Sequence, residues 1–217
     1  MHIAVDWPGD PGFKRDSLPY CAMSVVVSDT AQEIEDALTD VRRKRSLPKD
    51  KKGKDYEFKF AKTNWPAKQD FMQRVAHTSF TGVVVIYNKE AMTPRWAWGR
   101  NDDLLVQLLA HCVLQLPQSA ISGSKMMIDG DAEAKKVGRL VKPKLSRVWL
   151  NRRLSARLGK IVNGDSKDYG PLQLADMIGG AAVEAWQHGV VYTPLMRPVR
   201  SKVTIQVVTP GMPIPAP

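Results

Sequence analysis

Four carboxylates stand where a rigid scaffold can hold them. Asp6 closes a short apolar run near the N-terminus, Glu57 lies within YEFKF (residues 56–60), Asp129 closes KMMI, and Asp176 stands near the start of an apolar helical stretch. Carboxylates gathered from distant parts of a chain are hard oxygen donors that suit Mg²⁺ or Mn²⁺. Two such ions about 3.5–4 Å apart neutralise a phosphodiester and activate the water that attacks it. In a strand, side chains two residues apart point the same way, so Lys59 shares a face with Glu57. Lys59 is therefore a candidate contact for a scissile phosphate, or the salt-bridge partner of one of these acids. Other chemistries lack their residues. His2, His77, His111 and His188 have no zinc-binding spacing, and there is no Gly-x-Ser-x-Gly elbow or Walker A loop. Cys21 and Cys112 lie in apolar stretches without partner spacing, so neither a disulfide framework nor a Cys-rich zinc site organises the chain.

The elements that must position these acids can be read from hydrophobic period. The length of 217 residues predicts one domain. Residues 2–5 read as a strand, and the Pro and Gly of residues 6–12 interrupt regular structure after it. Residues 20–28 are strongly β-prone and are expected to pair back on the first strand. Thr30 opens a helix with an acid-rich first turn, and Ile34, Leu38 and Val41 recur at helical spacing. Residues 56–60 read as a third strand and about 65–79 as a helix. Residues 82–87 form a near-continuous apolar strand, the pattern of a strand covered on both faces. Then come a helix at 102–116, a buried strand at 125–128, a basic helix capped by Asp131, a weak strand at 159–162 and a helix at 169–187. Ser166 and Lys167 read as a turn. The last helix carries Leu172, Ala175, Gly179, Ala182 and Trp186 on one stripe, with Gln173 and Asp176 on a neighbouring face. Strands first and then strands alternating with helices imply an α/β mixed sheet flanked by helices. Should strand 82–87 neighbour the first strand, Asp129 stands roughly 10 Å from Asp6, at about 4.8 Å per strand.

Charge is segregated. The net charge is +10, with eight Lys/Arg against Asp50 alone in residues 42–54 and ten Lys/Arg without an acid in residues 135–160. The rest of the chain is net acidic. A focused positive field suits a polyanion, whereas an unfocused one serves only as solvated surface. The candidate nucleic-acid contacts are Arg42, Arg43, Lys44, Arg45, Lys142, Lys144, Arg147, Arg152, Arg153 and Arg157. Trp149, and Trp96 and Trp98 beside Arg95 and Arg100, are candidates for stacking on bases or for burial. The two segments, about 42–54 and 135–158, read as basic insertions on a single domain spanning 1–208, with a Pro-rich tail at 209–217. No apolar run is long enough to span a bilayer and the first ten residues contain no signal-peptide core, so a cytoplasmic protein without a membrane partner is expected.

Asp6-Trp7-Pro8-Gly9-Asp10-Pro11-Gly12, Glu57-Phe58-Lys59, Met127-Ile128-Asp129, Asp165-Ser166-Lys167 and Leu172-Gln173-Leu174-Ala175-Asp176 together resemble the bacterial and phage family called domain of unknown function family 3800. The order and approximate spacing match over residues 2–188, and the Leu-Gln-Leu-Ala-Asp box is the most specific part. The resemblance implies an RNase H-like fold, a Mg²⁺- or Mn²⁺-dependent nuclease site held by Asp6, Glu57, Asp129 and Asp176, and a mobile-element or defence setting. The family's first turn reads Asp-Glu-Ser-Gly. Here Trp7 and Pro8 take the second and third places, which makes Asp10 an alternative ligand. The expected function is metal-dependent hydrolysis of nucleic-acid phosphodiester bonds. The alternatives are a catalytically silent nucleic-acid-binding module and a regulatory protein of a mobile-element or defence system.

Overall fold

The computed structural model describes residues 1–12, 17–89, 101–130, 132–151, 153, 155, 157–190 and 193–209. Arg95, Trp96, Trp98, Arg100, Asp131, Arg152 and the tail beyond Thr209 lie outside them. Strand β1 (His2–Asp6) pairs antiparallel with β2 (Tyr20–Ser28), which is long and rich in β-branched residues that pack well on a pleated surface. Helices α1 (Gln32–Lys44) and α2 (Trp65–Val75) come next, then β3 (Phe80–Asn88), α3 (Asn101–Leu114), the single turn α4 (Gln118–Ile121) and β4 (Lys125–Asp129). Helix α5 (Ala132–Asn151), β5 (Ile161–Gly164), α6 (Gly170–Gln187) and β6 (Val203–Val208) complete the order. The strands form one mixed sheet in the order β5-β4-β1-β2-β3-β6.

Period-two alternation gives this sheet two apolar faces. Ile3, Val5, Met23, Val25, Met126 and Ile128 meet α3 and α5 on one side. Ala4, Ala22, Val26 and Val84 meet α1, α2 and α6 on the other. Asp6 shares the face of Ala4 and so looks toward α6. Gly179 lets that helix approach closely: a Cβ there would stand 2.9 Å from both Pro8 Cγ and Ser24 Cβ. Among the described residues, no helix is long and apolar enough to cross a membrane.

Several sequence expectations are corrected. Residues 56–60 form no strand. Their alternation is real, but their backbone groups are taken by side chains of α1 and α6 rather than by a neighbouring strand: Arg42 Nε donates to the Tyr56 carbonyl, Phe58 N–H to Gln173 Oε1 and Phe60 N–H to Asp176 Oδ2. The segment after Asp129 is no insertion. Val137, Val141, Leu145, Val148 and Trp149 of α5 are buried, so α5 is the crossover between the parallel strands β4 and β5. The first basic run also begins inside α1, which extends through Lys44. Strand β6, paired parallel with β3, was not anticipated from the sequence. Finally, β4 rather than β3 is the second neighbour of β1, with Val5 opposite Ile128. Asp129 therefore stands on the strand next to Asp6, about 4.8 Å across rather than two strands away.

Candidate functional site

Each acid is delivered by a different element. Asp6 and Asp129 end the parallel neighbours β1 and β4. Asp176 lies in the second turn of α6, and Glu57 and Lys59 project from the extended segment draped over that helix. Lys59 Nζ lies 3.4 Å from Glu57 Oε1 and 3.8 Å from Asp129 Oδ2. Ser166 joins the same acids from the 3-10 turn Ser166–Asp168, its hydroxyl donating to Glu57 Oε1 at 2.7 Å and its N–H to Asp129 Oδ1 at 3.0 Å. Asp176 Oδ2 accepts the Phe60 N–H at 2.7 Å, and Asp6 Oδ1 accepts the Trp7 N–H at 2.8 Å.

The electrostatics arise from this crowding. Burial pushes the Asp6 carboxyl up to about 8, helped by the charges of Asp176 and Asp129. Asp176 is also raised, chiefly by burial, although the Phe60 N–H, Lys59 and a hydrogen bond from Asp6 oppose the rise. The two acids thus share a proton, because two adjacent buried carboxylates do not both ionise. Burial alone pulls Lys59 down, but Glu57 and Asp129 outweigh it and raise the ammonium above its usual value.

The expectation for Trp7 is resolved by strand geometry. The β1–β2 register continues past Asp6 through Ala22 N–H to Pro8 carbonyl and the Gly9–Cys21 bridge. Trp7 therefore points to the opposite face and packs into the α3–α5 core. A Glu there would turn away from the cluster. Asp10, the alternative ligand, accepts the Gly12 N–H at 2.7 Å, and its charge acts on Lys89 and on Cys21.

A chain of the PCNA:RNase HII complex from Archaeoglobus fulgidus matches this topology with a TM-score of 0.54 at 14% identity, over 93% of this chain and 87% of that one. The fold is RNase H-like. No protein-family model matches the sequence, and no curated protein sequence matches it significantly.

Within the RNase H-like sheet the acids sit at the C-terminal ends of β1 and β4, where strand ends and a helix hold side chains rigidly. Among the described residues no three His, Cys, Asp or Glu side chains are already drawn into a metal-ligating arrangement. The donor chemistry still fits a hard divalent cation: all donors are oxygens, and a cation could take the place of the proton between the buried Asp6 and Asp176 carboxyls.

Two positioning residues carried little signal in the sequence. Ser166 reads as a turn residue, and only its place in the Asp165-Ser166-Lys167 motif marks it. Gln173 is buried, and its amide ties the extended segment to the Ser166 turn. Its Oε1 takes the Phe58 N–H at 2.9 Å and its Nε2 donates to the Ser166 carbonyl at 2.7 Å. Gln173→Met keeps the volume but leaves both backbone groups unpaired, and is expected to cost about 2–4 kcal/mol. Urea unfolding checks this, and a loss under about 0.5 kcal/mol would deny the amide its tying role.

The first basic run is largely consumed by the fold. Arg42 is half-buried between Tyr56 and Gln173 and stacks over Phe58. Arg43 pairs with Asp40 at 2.9 Å, while Lys44 and Arg45 both pair with Asp70. Lys144 is partly buried toward Asp103, and burial lowers it. Lys142, Arg147, Arg153 and Arg157 are exposed. Trp149 is buried and unable to stack on a base.

Proposed function

We propose that this protein hydrolyses nucleic-acid phosphodiester bonds with Mg²⁺ or Mn²⁺ held by Asp6, Glu57, Asp129 and Asp176. The observation that carries this reading is the convergence of acids from residues 6, 57, 129 and 176 around one ammonium and one buried carboxyl pair. The likeness in fold to a protein named as an RNase, and the motif resemblance to domain of unknown function family 3800, support the same reading. Bound ions would neutralise the phosphate and activate water. For its part, the chain must release the Asp6 proton and free Lys59 from Glu57 and Asp129, which leaves that ammonium available to the phosphate.

The test is incubation of the full chain with end-labelled single- and double-stranded DNA and RNA and a DNA–RNA hybrid, with Mg²⁺, Mn²⁺ or EDTA. At least one form is expected to be cut with metal, and Asp129→Asn is expected to slow cutting at least a hundredfold. Absence of cutting on every form, or unchanged cutting by the variant, would overturn the proposal. A second reading, binding without cutting, is favoured by the ion pairs that Lys59 makes with two of the four acids. It predicts salt-sensitive binding and no metal-dependent product.

A further inference from the structure

A positive surface left over by folding lies between α5 and the edge strand β5. It is an open groove of about 580 Å³, walled by Lys135, Arg139 and Lys142 on α5 and by Lys160 opposite, with Ile161 and Asn163 along β5. The helix positions fall at i, i+4 and i+7, one face of the helix. Gly138 brings the walls together, since a Cβ there would stand 3.0 Å from Ile161 Cγ2. Among the described residues, no acid and no aromatic residue lines the groove. Among the described residues none of Lys135, Arg139 and Lys160 forms an ion pair, unlike the Arg43–Arg45 run. Their charge is therefore available to a ligand.

We infer that this groove holds the sugar-phosphate backbone of a single nucleic-acid strand and leads it to the acid cluster, an inference that rests on the nuclease reading above. The three helix cations span about 10 Å of axis, long enough to meet successive phosphates of one strand, with Lys142 also donating to the Gly159 carbonyl at 2.9 Å. The described lining offers cations and no aromatic ring, so phosphate contact is its recognition chemistry, which carries no base preference. The groove also ends in the right place. Asn163 at its end precedes Gly164, which pairs with Asp129, and two residues later Ser166 bonds to both Glu57 and Asp129. A strand leaving the groove rounds the short sheet edge and meets the acids.

Fluorescence anisotropy with a labelled 12-nucleotide single strand and a blunt 12-base-pair duplex, in EDTA over a NaCl series, tests this. The variants are Lys135→Gln/Arg139→Gln/Lys160→Gln and a comparison triple in the exposed loops, Lys51→Gln/Lys52→Gln/Lys62→Gln, each checked for folding by circular dichroism. The groove triple is expected to weaken single-strand binding at least tenfold and to flatten the log–log salt slope by about 2, at about 0.7 per phosphate contact. The loop triple is expected to change it less than twofold, and the duplex to bind more weakly than the single strand. Wild-type binding that survives the groove triple, or a duplex bound more tightly, would overturn the groove assignment while leaving the nuclease reading in place. A wild-type protein that binds no oligonucleotide at 50 mM salt would overturn both.

Discussion

At pH 8 the Asp6→Asn protein is expected to melt about 4–8 °C above the wild type while losing the proposed metal-dependent cleavage. Asp6 holds its proton up to about pH 8 in the fold but titrates near 3.8 when unfolded. Between those values the folded state binds more protons, so stability falls as pH rises from about 4 to 8. An amide has no charge to lose, and it can still accept from the Trp7 N–H and donate to Asp176. The variant therefore escapes the penalty, here about 2 kcal/mol after allowance for relaxation and water, which corresponds to the stated shift for a domain of this size. The advantage should shrink toward pH 4. Thermal melts at pH 4.5 and 8 check the direction, and a variant no more stable than wild type at pH 8 would remove the shared-proton argument. Loss of cleavage in a stabilised protein would separate a catalytic role for Asp6 from a merely structural one.

Lys59→Met is expected to make the protein both less stable without metal and more responsive to it. The Lys59 ammonium lies between Glu57 and Asp129 and compensates part of the cluster's charge. Its side chain is 36% exposed, so solvent screens the interaction and the loss in EDTA is about 1 kcal/mol. The larger effect is expected on the proposed cation binding, because the native site would first have to part with its own ammonium. Isothermal titration with Mn²⁺ at pH 8 should show at least tenfold tighter binding to the variant, and Mn²⁺ should raise its Tm more than that of wild type. Mn²⁺ affinity that is unchanged or weaker would show that Lys59 does not compete for the carboxylates. Slower cleavage by a variant that binds metal more tightly would assign the ammonium to the phosphate.

The α/β class, most strands and α6 were legible because long apolar runs and helical stripes report burial directly. The four acids were legible as candidates because each sits at an element end or beside a motif. Residues 56–60 misled for a physical reason. Period-two alternation reports extended backbone with one buried side, and it is the same whether a strand or the side chains of Gln173 and Asp176 take the N–H groups. In α5 the density of Lys and Arg masked a stripe of Val137, Val141, Leu145 and Val148 that is buried in the core. Charge counting likewise gave Arg42, Lys44 and Arg45 to a ligand, whereas the fold had already paired them with Tyr56, Gln173 and Asp70. Such pairings span tens of residues and leave no local pattern.

The contact between Phe60 and Asp176 joins positions 116 residues apart, and Asp6 meets Asp176 across most of the polypeptide. Contacts of such sequence separation form late, because chain closure must be achieved before they stabilise anything. A nascent chain that has not yet released α6 from the ribosome lacks one carboxylate and the helix that organises two of the others. Whatever power this pocket has to cut is withheld during synthesis, when the growing polypeptide is surrounded by ribosomal RNA.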